Sequence, residues 1–177
     1  METIPARLRL VVDDITKLPV DVVVTAANEA LCGGGGVDGA IHRAAGSALL
    51  EECLKIGHCP QGEARITKGY LLPAKFIVHT VGPVWEGGAY GERELLASCY
   101  HASLQLAAER GAATIAFPCI ATGTYGYPKA EACEVAVGAA LAWLHDHELP
   151  RQVVFCCFEE EDAELYRARL EAIGASA

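Results

Sequence analysis

Apolar positions along this chain fall into two alternating kinds of run. Leu8 to Val12, Val20 to Ala26, Ala64 to Thr67, Phe76 to Val81, Thr114 to Ile120 and Gln152 to Phe158 are short and mostly continuous, with the length expected of strands. Val20 to Ala26 is apolar at nearly every position, as in a strand buried on both faces. Between these runs the spacing becomes helical. Ile41, Ala45, Leu49 and Cys53 recur at every fourth position and predict one helix beginning near Asp38. Leu96, Tyr100, Leu104 and Ala107 predict a second, closed by Gly111 as the residue after its last turn. Lys129 to His145 predicts a third, and Asp162 to Ile173, with Leu165, Arg169 and Ile173 on one side, a fourth. Strand and helix alternate without an internal repeat, linker or low-complexity segment, which predicts a three-layer α/β/α architecture in a single domain over residues 1–177.

The most informative break in the pattern lies between Ala26 and Asp38. A strand ends, a polar turn closes at Asn28, four consecutive glycines follow (Gly33 to Gly36), and a helix begins. Backbone without Cβ atoms can approach a ligand closely, and it runs into a helix N-terminus whose free N–H groups and positive dipole end favour an anion. Asp38 has two readings, a cap on that helix or a chemical group beside an anion cradle. Asn28 at the exit of a strand, where open α/β sheets place their ligand crevices, favours the second. Gly34, Gly36 and Gly39 have G-x-G-x-x-G spacing, but a polar segment separates them from the strand and no acidic residue follows at the end of a next strand. A dinucleotide fingerprint is therefore rejected. Ala121 to Pro128 (ATGTYGYP) repeats the arrangement, a glycine-containing loop between strand and helix, and two such loops suit the two phosphoryl groups of a diphosphate. The Trp85 to Gly91 segment is glycine-rich and permits mobility.

With 177 residues, 52% of them hydrophobic, the chain can bury roughly 70% of the surface it exposes when unfolded. A net charge of −9 argues against binding a nucleic-acid backbone, so a diphosphate would have to be held by main-chain N–H groups. The eight cysteines include no C-x-x-C and sit mostly in apolar runs, which predicts buried free thiols in a reducing compartment. No run approaches the length needed to span a bilayer, METIPARLRL has no signal-peptide core, and the expected location is the cytoplasm. His58-Cys59 has no second pair at ligand spacing, and His42, His79 and His101 are scattered singly among apolar neighbours, so no metal is expected. His42, four residues after Asp38, shares its helix face and is a plausible orienter of it.

TAANEALCGGGGVDGAIHRAAG resembles the signature of macrodomains of the MacroD type, and the likeness continues through VDDITKLPVD, AKFIVHTVGPVW and FPCIATGTYGYPKAEA. The resemblance implies a central mixed, mostly parallel sheet. It also implies a hydrolase that binds ADP-ribose and removes ester-linked groups from its distal ribose, with O-acetyl-ADP-ribose and mono-ADP-ribosylated proteins as partners and no cofactor. It assigns Asp14 and Ile15 to the adenine, Asn28 to the distal ribose, and Gly36, Val37, Ala121, Thr122, Gly123 and Thr124 to the rest of the ligand. Tyr125 would stand against the distal ribose, and Asn28 and Asp38 would carry the chemistry. Two positions depart from the family: Asp13 stands where glycine is usual, and Thr25 replaces the first asparagine of N-A-A-N. No second carboxylate accompanies Asp38 as a general acid, which favours leaving groups that depart as carboxylates, with conjugate-acid pKa of about 4. A non-catalytic ADP-ribose reader and a cysteine hydrolase using Cys119 with His79 are the alternatives.

Overall fold

Every strand-like run enters one sheet. The computed structural model describes residues 2–175 and places β1 (Leu8–Val12), β2 (Val22–Ala26), β3 (Ala64–Lys68), β4 (Phe76–Thr80), β5 (Thr114–Phe117) and β6 (Gln152–Cys157) in the order β1-β6-β5-β2-β4-β3. All neighbours are parallel except β3, which pairs antiparallel with β4, so the sheet is mixed. Successive side chains of β2 go to opposite layers: Val22 and Val24 join one apolar cluster, Val23 the other. This parity later decides where Thr25 and His79 point.

One layer is built from α1 (Gly36–Ala45) and α2 (Ser47–Ile56), the other from α3 (Glu92–Glu109), α4 (Lys129–Asp146) and α5 (Glu160–Ala172). The single helix expected after Asp38 is thus two. Gly46 breaks it with φ of +91°, a conformation other residues avoid, and its N–H closes α1 on the His42 carbonyl at 3.1 Å. The fourfold stripe survives the break, because Ile41, Ala45, Leu49 and Cys53 are each at most 1% exposed.

Strand ends are trimmed where the backbone loses a donor or a partner. β5 stops at Phe117 because Pro118 has no N–H for the ladder, and β6 stops at Cys157, leaving the Phe158 ring 78% exposed. The Trp85 to Gly91 loop is tied down: the buried Glu92 carboxylate accepts from the N–H groups of Glu86 (3.0 Å), Gly88 (2.8 Å) and Tyr90 (2.6 Å). Six cysteines are buried as expected, whereas Cys32 is exposed and Cys119 half-buried, and all eight are free thiols.

Candidate active site

Three strand exits converge on one cleft of about 430 Å³. Ala26, Ala27 and Asn28 leave β2, Gly34 to Asp38 form the glycine loop and the first turn of α1, Gly82 follows β4, and Cys119, Ala121, Gly123, Thr124 and Tyr125 follow β5. The two glycine loops recognised separately in the sequence therefore face a common space. Among the described residues, no Lys, Arg or His lines it. What the wall offers an anion is main chain: α1 has no side-chain cap, so the N–H groups of its first turn are free of intrahelical and capping partners.

Asn28 fixes the entry to that loop. Its amide Nδ2 donates to the Gly33 carbonyl at 2.8 Å, and its Oδ1 accepts from the Cys32 N–H at 3.2 Å. Gly39 fixes the exit, since a Cβ there would stand 2.5 Å from the Gly34 carbonyl oxygen. Only glycine lets the helix pack this closely under the loop.

Asp38 is not a cap. Its side chain turns inward, 5% exposed, and Oδ1 accepts a 2.9 Å hydrogen bond from the Thr25 hydroxyl of β2. Thr25 points to the α1 side because it follows Val23 by two positions. Burial pushes the Asp38 carboxyl above the ordinary carboxylate range, opposed by the Thr25 hydrogen bond and by His42, whose Nε2 lies 3.7 Å from Oδ1. Thr25 is thus the direct support of the one carboxylate in the cleft wall.

Behind Asp38 the histidines are not scattered singly, contrary to expectation. The His42 and His79 ring centroids are 6.4 Å apart, and the Cys53 sulfur sits 4.0 and 3.9 Å from the two His79 nitrogens. His79 is buried, shares a 2.9 Å hydrogen bond with Thr67 through Nε2, and is pushed down to about 3 by burial and by His42. The His42, Cys53 and His79 donor atoms lie within 4.8 Å of one another, the spacing of a possible chelate. However, a sulfur equidistant from both ring nitrogens stands off both lone-pair axes, and Thr67 occupies Nε2. The trio reads as a packed polar cluster supporting the site.

Of the residues singled out in the sequence, Asn28, Gly36, Val37, Asp38, Ala121, Gly123, Thr124 and Tyr125 line the cleft. Thr122 instead donates to the Cys119 carbonyl at 2.9 Å and shapes the turn. Asp14 and Ile15 lie outside the cleft wall, at the end of β1, where Asp14 Oδ1 accepts from the Thr16 N–H (3.0 Å) and hydroxyl (2.7 Å). The hydrogen bond from the Thr16 hydroxyl, more than its partial burial, sets the Asp14 carboxyl, which is held below its ordinary value. Gly34 and Gly35 of the four-glycine loop also line the cleft, and Gly82, a glycine just after a strand and so a signal of close approach, is the lining residue that sequence reading passed over. The Cys119 and His79 pair is corrected. Cys119 packs toward the α3–α5 layer with its sulfur 3.8 Å from Cys157, whereas His79 bonds to Thr67 on the α1–α2 side.

Comparison with known proteins adds four findings. A family model described as "Macro domain" matches residues 24–136. The O-acetyl-ADP-ribose deacetylase of Escherichia coli is 54% identical over 172 residues, covering 95% of this chain and 97% of that protein. Among solved structures, an Oceanobacillus iheyensis macrodomain with ADP superposes with a TM-score of 0.87 at 42% identity, covering 94% of this chain and 90% of the other. A Trypanosoma brucei macrodomain in complex with ADP-ribose gives 0.87 at 41% identity, covering 95% and 69%.

Proposed function

The chain belongs to the Macro domain family, and on that premise we propose that it is a hydrolase that binds ADP-ribose and removes ester-linked groups from the distal ribose. Its substrates are O-acetyl-ADP-ribose and proteins carrying mono-ADP-ribose on Asp or Glu side chains. The observation that carries this reading is a single buried carboxylate, Asp38, set in a cleft whose anion donors are main-chain N–H groups.

The diphosphate binds between the α1 first turn, at Gly36 and Val37, and the Ala121 to Thr124 loop, with Asn28 and Tyr125 on the distal ribose. Asp14 and the Ile15 backbone receive the adenine at the end of β1. The exposed Phe158 ring stands near that turn, because the Asp13 N–H bonds to the Cys157 carbonyl at 3.1 Å. A carboxylate raised above its ordinary value is a better base than a solvated one. Asp38 takes a proton from the attacking water. When an Asp or Glu ester is cleaved at the ribose carbon, the leaving group departs as a carboxylate and needs no acid. In deacetylation water adds to the acyl carbon, and the proton held by Asp38 returns to the departing ribose oxygen.

The same geometry weighs against a reader without activity, because Thr25, although it replaces the asparagine of the motif, supports Asp38. Incubation with a glutamate-linked ADP-ribosylated protein decides between them: loss of label is expected, and stable retention would establish a reader. Asp38→Ala should keep ADP-ribose binding by calorimetry while turnover falls by about 100-fold or more. Free thiols throughout suit a reducing compartment, and the cytoplasm is the proposed location. Among the described residues no helix is long and apolar enough to cross a membrane.

A further inference from the structure

One thiol in the cleft wall, Cys119, and a second buried behind it, Cys157, have no part in the hydrolysis. Cys119 lines the cleft and also a small crevice on its far side with Thr122, Lys129, Asp162, Leu165 and Tyr166. Its sulfur lies 3.8 Å from that of Cys157. The register pairs Phe117 with Phe155, and Cys119 lies two residues past the end of β5 beside Cys157 at the end of β6. Closing from 3.8 Å to a bond of about 2.05 Å requires side-chain rotation and a small local shift. Cys156, by contrast, points to the opposite layer and bonds to the Asp13 carbonyl.

We propose that Cys119 and Cys157 form a peroxide-reactive dithiol whose oxidation to a disulfide behind the cleft wall weakens ligand binding and slows turnover, reversibly. Cys119 reacts first because it is the half-buried member facing the cleft, whereas Cys157 is 1% exposed. The hydrogen bond to Cys119 and burial push the Cys157 thiol up. The Cys119 thiolate attacks a peroxide oxygen, the O–O bond breaks, a sulfenic acid forms, and hydroxide leaves as water with the thiol's proton. The Cys157 sulfur then attacks the sulfenic sulfur, the S–O bond breaks, and a second water carries off the remaining proton. Two thiols are oxidised by two electrons and one hydrogen peroxide is reduced to two waters.

Consequence for the site follows from what the two residues hold. The Cys119 carbonyl accepts the Thr122 hydroxyl that shapes the Ala121 to Tyr125 loop, and the Cys157 carbonyl accepts the Asp13 N–H beside Asp14. Pulling the sulfurs together moves the anchors of both ends of the ligand site.

The test uses the full chain treated with hydrogen peroxide, then N-ethylmaleimide, and digested without reduction for peptide mapping by mass spectrometry. Exposed Cys32 reports that the oxidant has acted. A Cys119–Cys157 cross-linked peptide that disappears with dithiothreitol is expected, and prior addition of ADP-ribose should slow its formation severalfold. Hydrolysis should fall severalfold with cross-linking and return on reduction. Cys157→Ala, a change outside the cleft wall, should keep basal turnover and lose both the cross-link and the dithiothreitol-reversible inhibition. Recovery of Cys119 and Cys157 as maleimide adducts after Cys32 has oxidised would overturn the dithiol, and a full cross-link with unchanged turnover would overturn its effect on the site. The activity and protection arms rest on the proposed function, but the peptide map does not. Absence of turnover in the reduced protein would therefore count against the function, while the map still decides the dithiol.

Discussion

Asp38 owes its chemistry to a contact thirteen positions back in the chain, the 2.9 Å hydrogen bond from Thr25. That bond favours the ionised carboxylate, and burial disfavours it by more. Removing the hydroxyl should therefore raise the carboxyl further. In Thr25→Val the acid limb of the kcat/KM profile is expected to move up by about one pH unit, the worth of one hydrogen bond to a charged group. Binding of ADP-ribose should change little, and an acid limb identical to wild type would show that Thr25 does not act through Asp38. Stability follows the same residue with opposite sign. Because the folded pKa exceeds the unfolded one, the charge destabilises the fold above both values and costs nothing below them. Asp38→Asn should thus melt higher than wild type at pH 8, with the gap closing as pH falls to about 4. A gap independent of pH would assign the gain to packing instead.

At the scale of elements, the anion cradle is a joint between a loop and a helix, and Gly39 holds the two together. Alanine is the better helix former by about 1 kcal/mol, which alone would make Gly39→Ala stabilising. A Cβ 2.5 Å from the Gly34 carbonyl oxygen decides otherwise, because that neighbour is backbone and cannot rotate away. Gly39→Ala is expected to displace the loop and weaken ADP-ribose binding severalfold by calorimetry. Unaltered affinity would mean the loop yields without loss. The Trp85 to Gly91 loop illustrates the converse. Its glycines suggest freedom, yet Glu92 collects three of its N–H groups, and the Trp85 N–H bonds to the Tyr125 carbonyl at 2.8 Å. Composition measured what the loop could do alone, whereas one buried carboxylate set what it does. Burial pushes Glu92 up, but the backbone donors outweigh it and hold it below its ordinary value.

For the molecule as a whole, the costly feature is a neutral imidazole sealed between the sheet and α2. His79 is pushed down to about 3, whereas an unfolded histidine titrates near 6.5, so the unfolded chain binds the extra proton between these values. Stability should be fully present above about 6.5 and decline as pH falls toward 3, by an amount on the order of 5 kcal/mol across that window. Denaturant melts of wild type and His79→Gln should show the slope in the first and a flatter profile in the second. Equal slopes would place the acid sensitivity elsewhere. His79 was legible in the sequence only as a lone histidine in an apolar run, because its partners Thr67 and Cys53 come from other elements. The sequence by itself determined the strands, most helices, and both glycine loops with Asn28 and Asp38 beside one of them. Periodicity, proline, glycine and strand exits are local properties, readable within a few residues. Tertiary structure alone decided that the loops face one cleft, that Asp38 turns to Thr25 rather than capping its helix, and that Cys119 meets Cys157. Each of these depends on strand order and on which layer a side chain enters, and both are settled only when helices pack onto the two faces of a completed sheet.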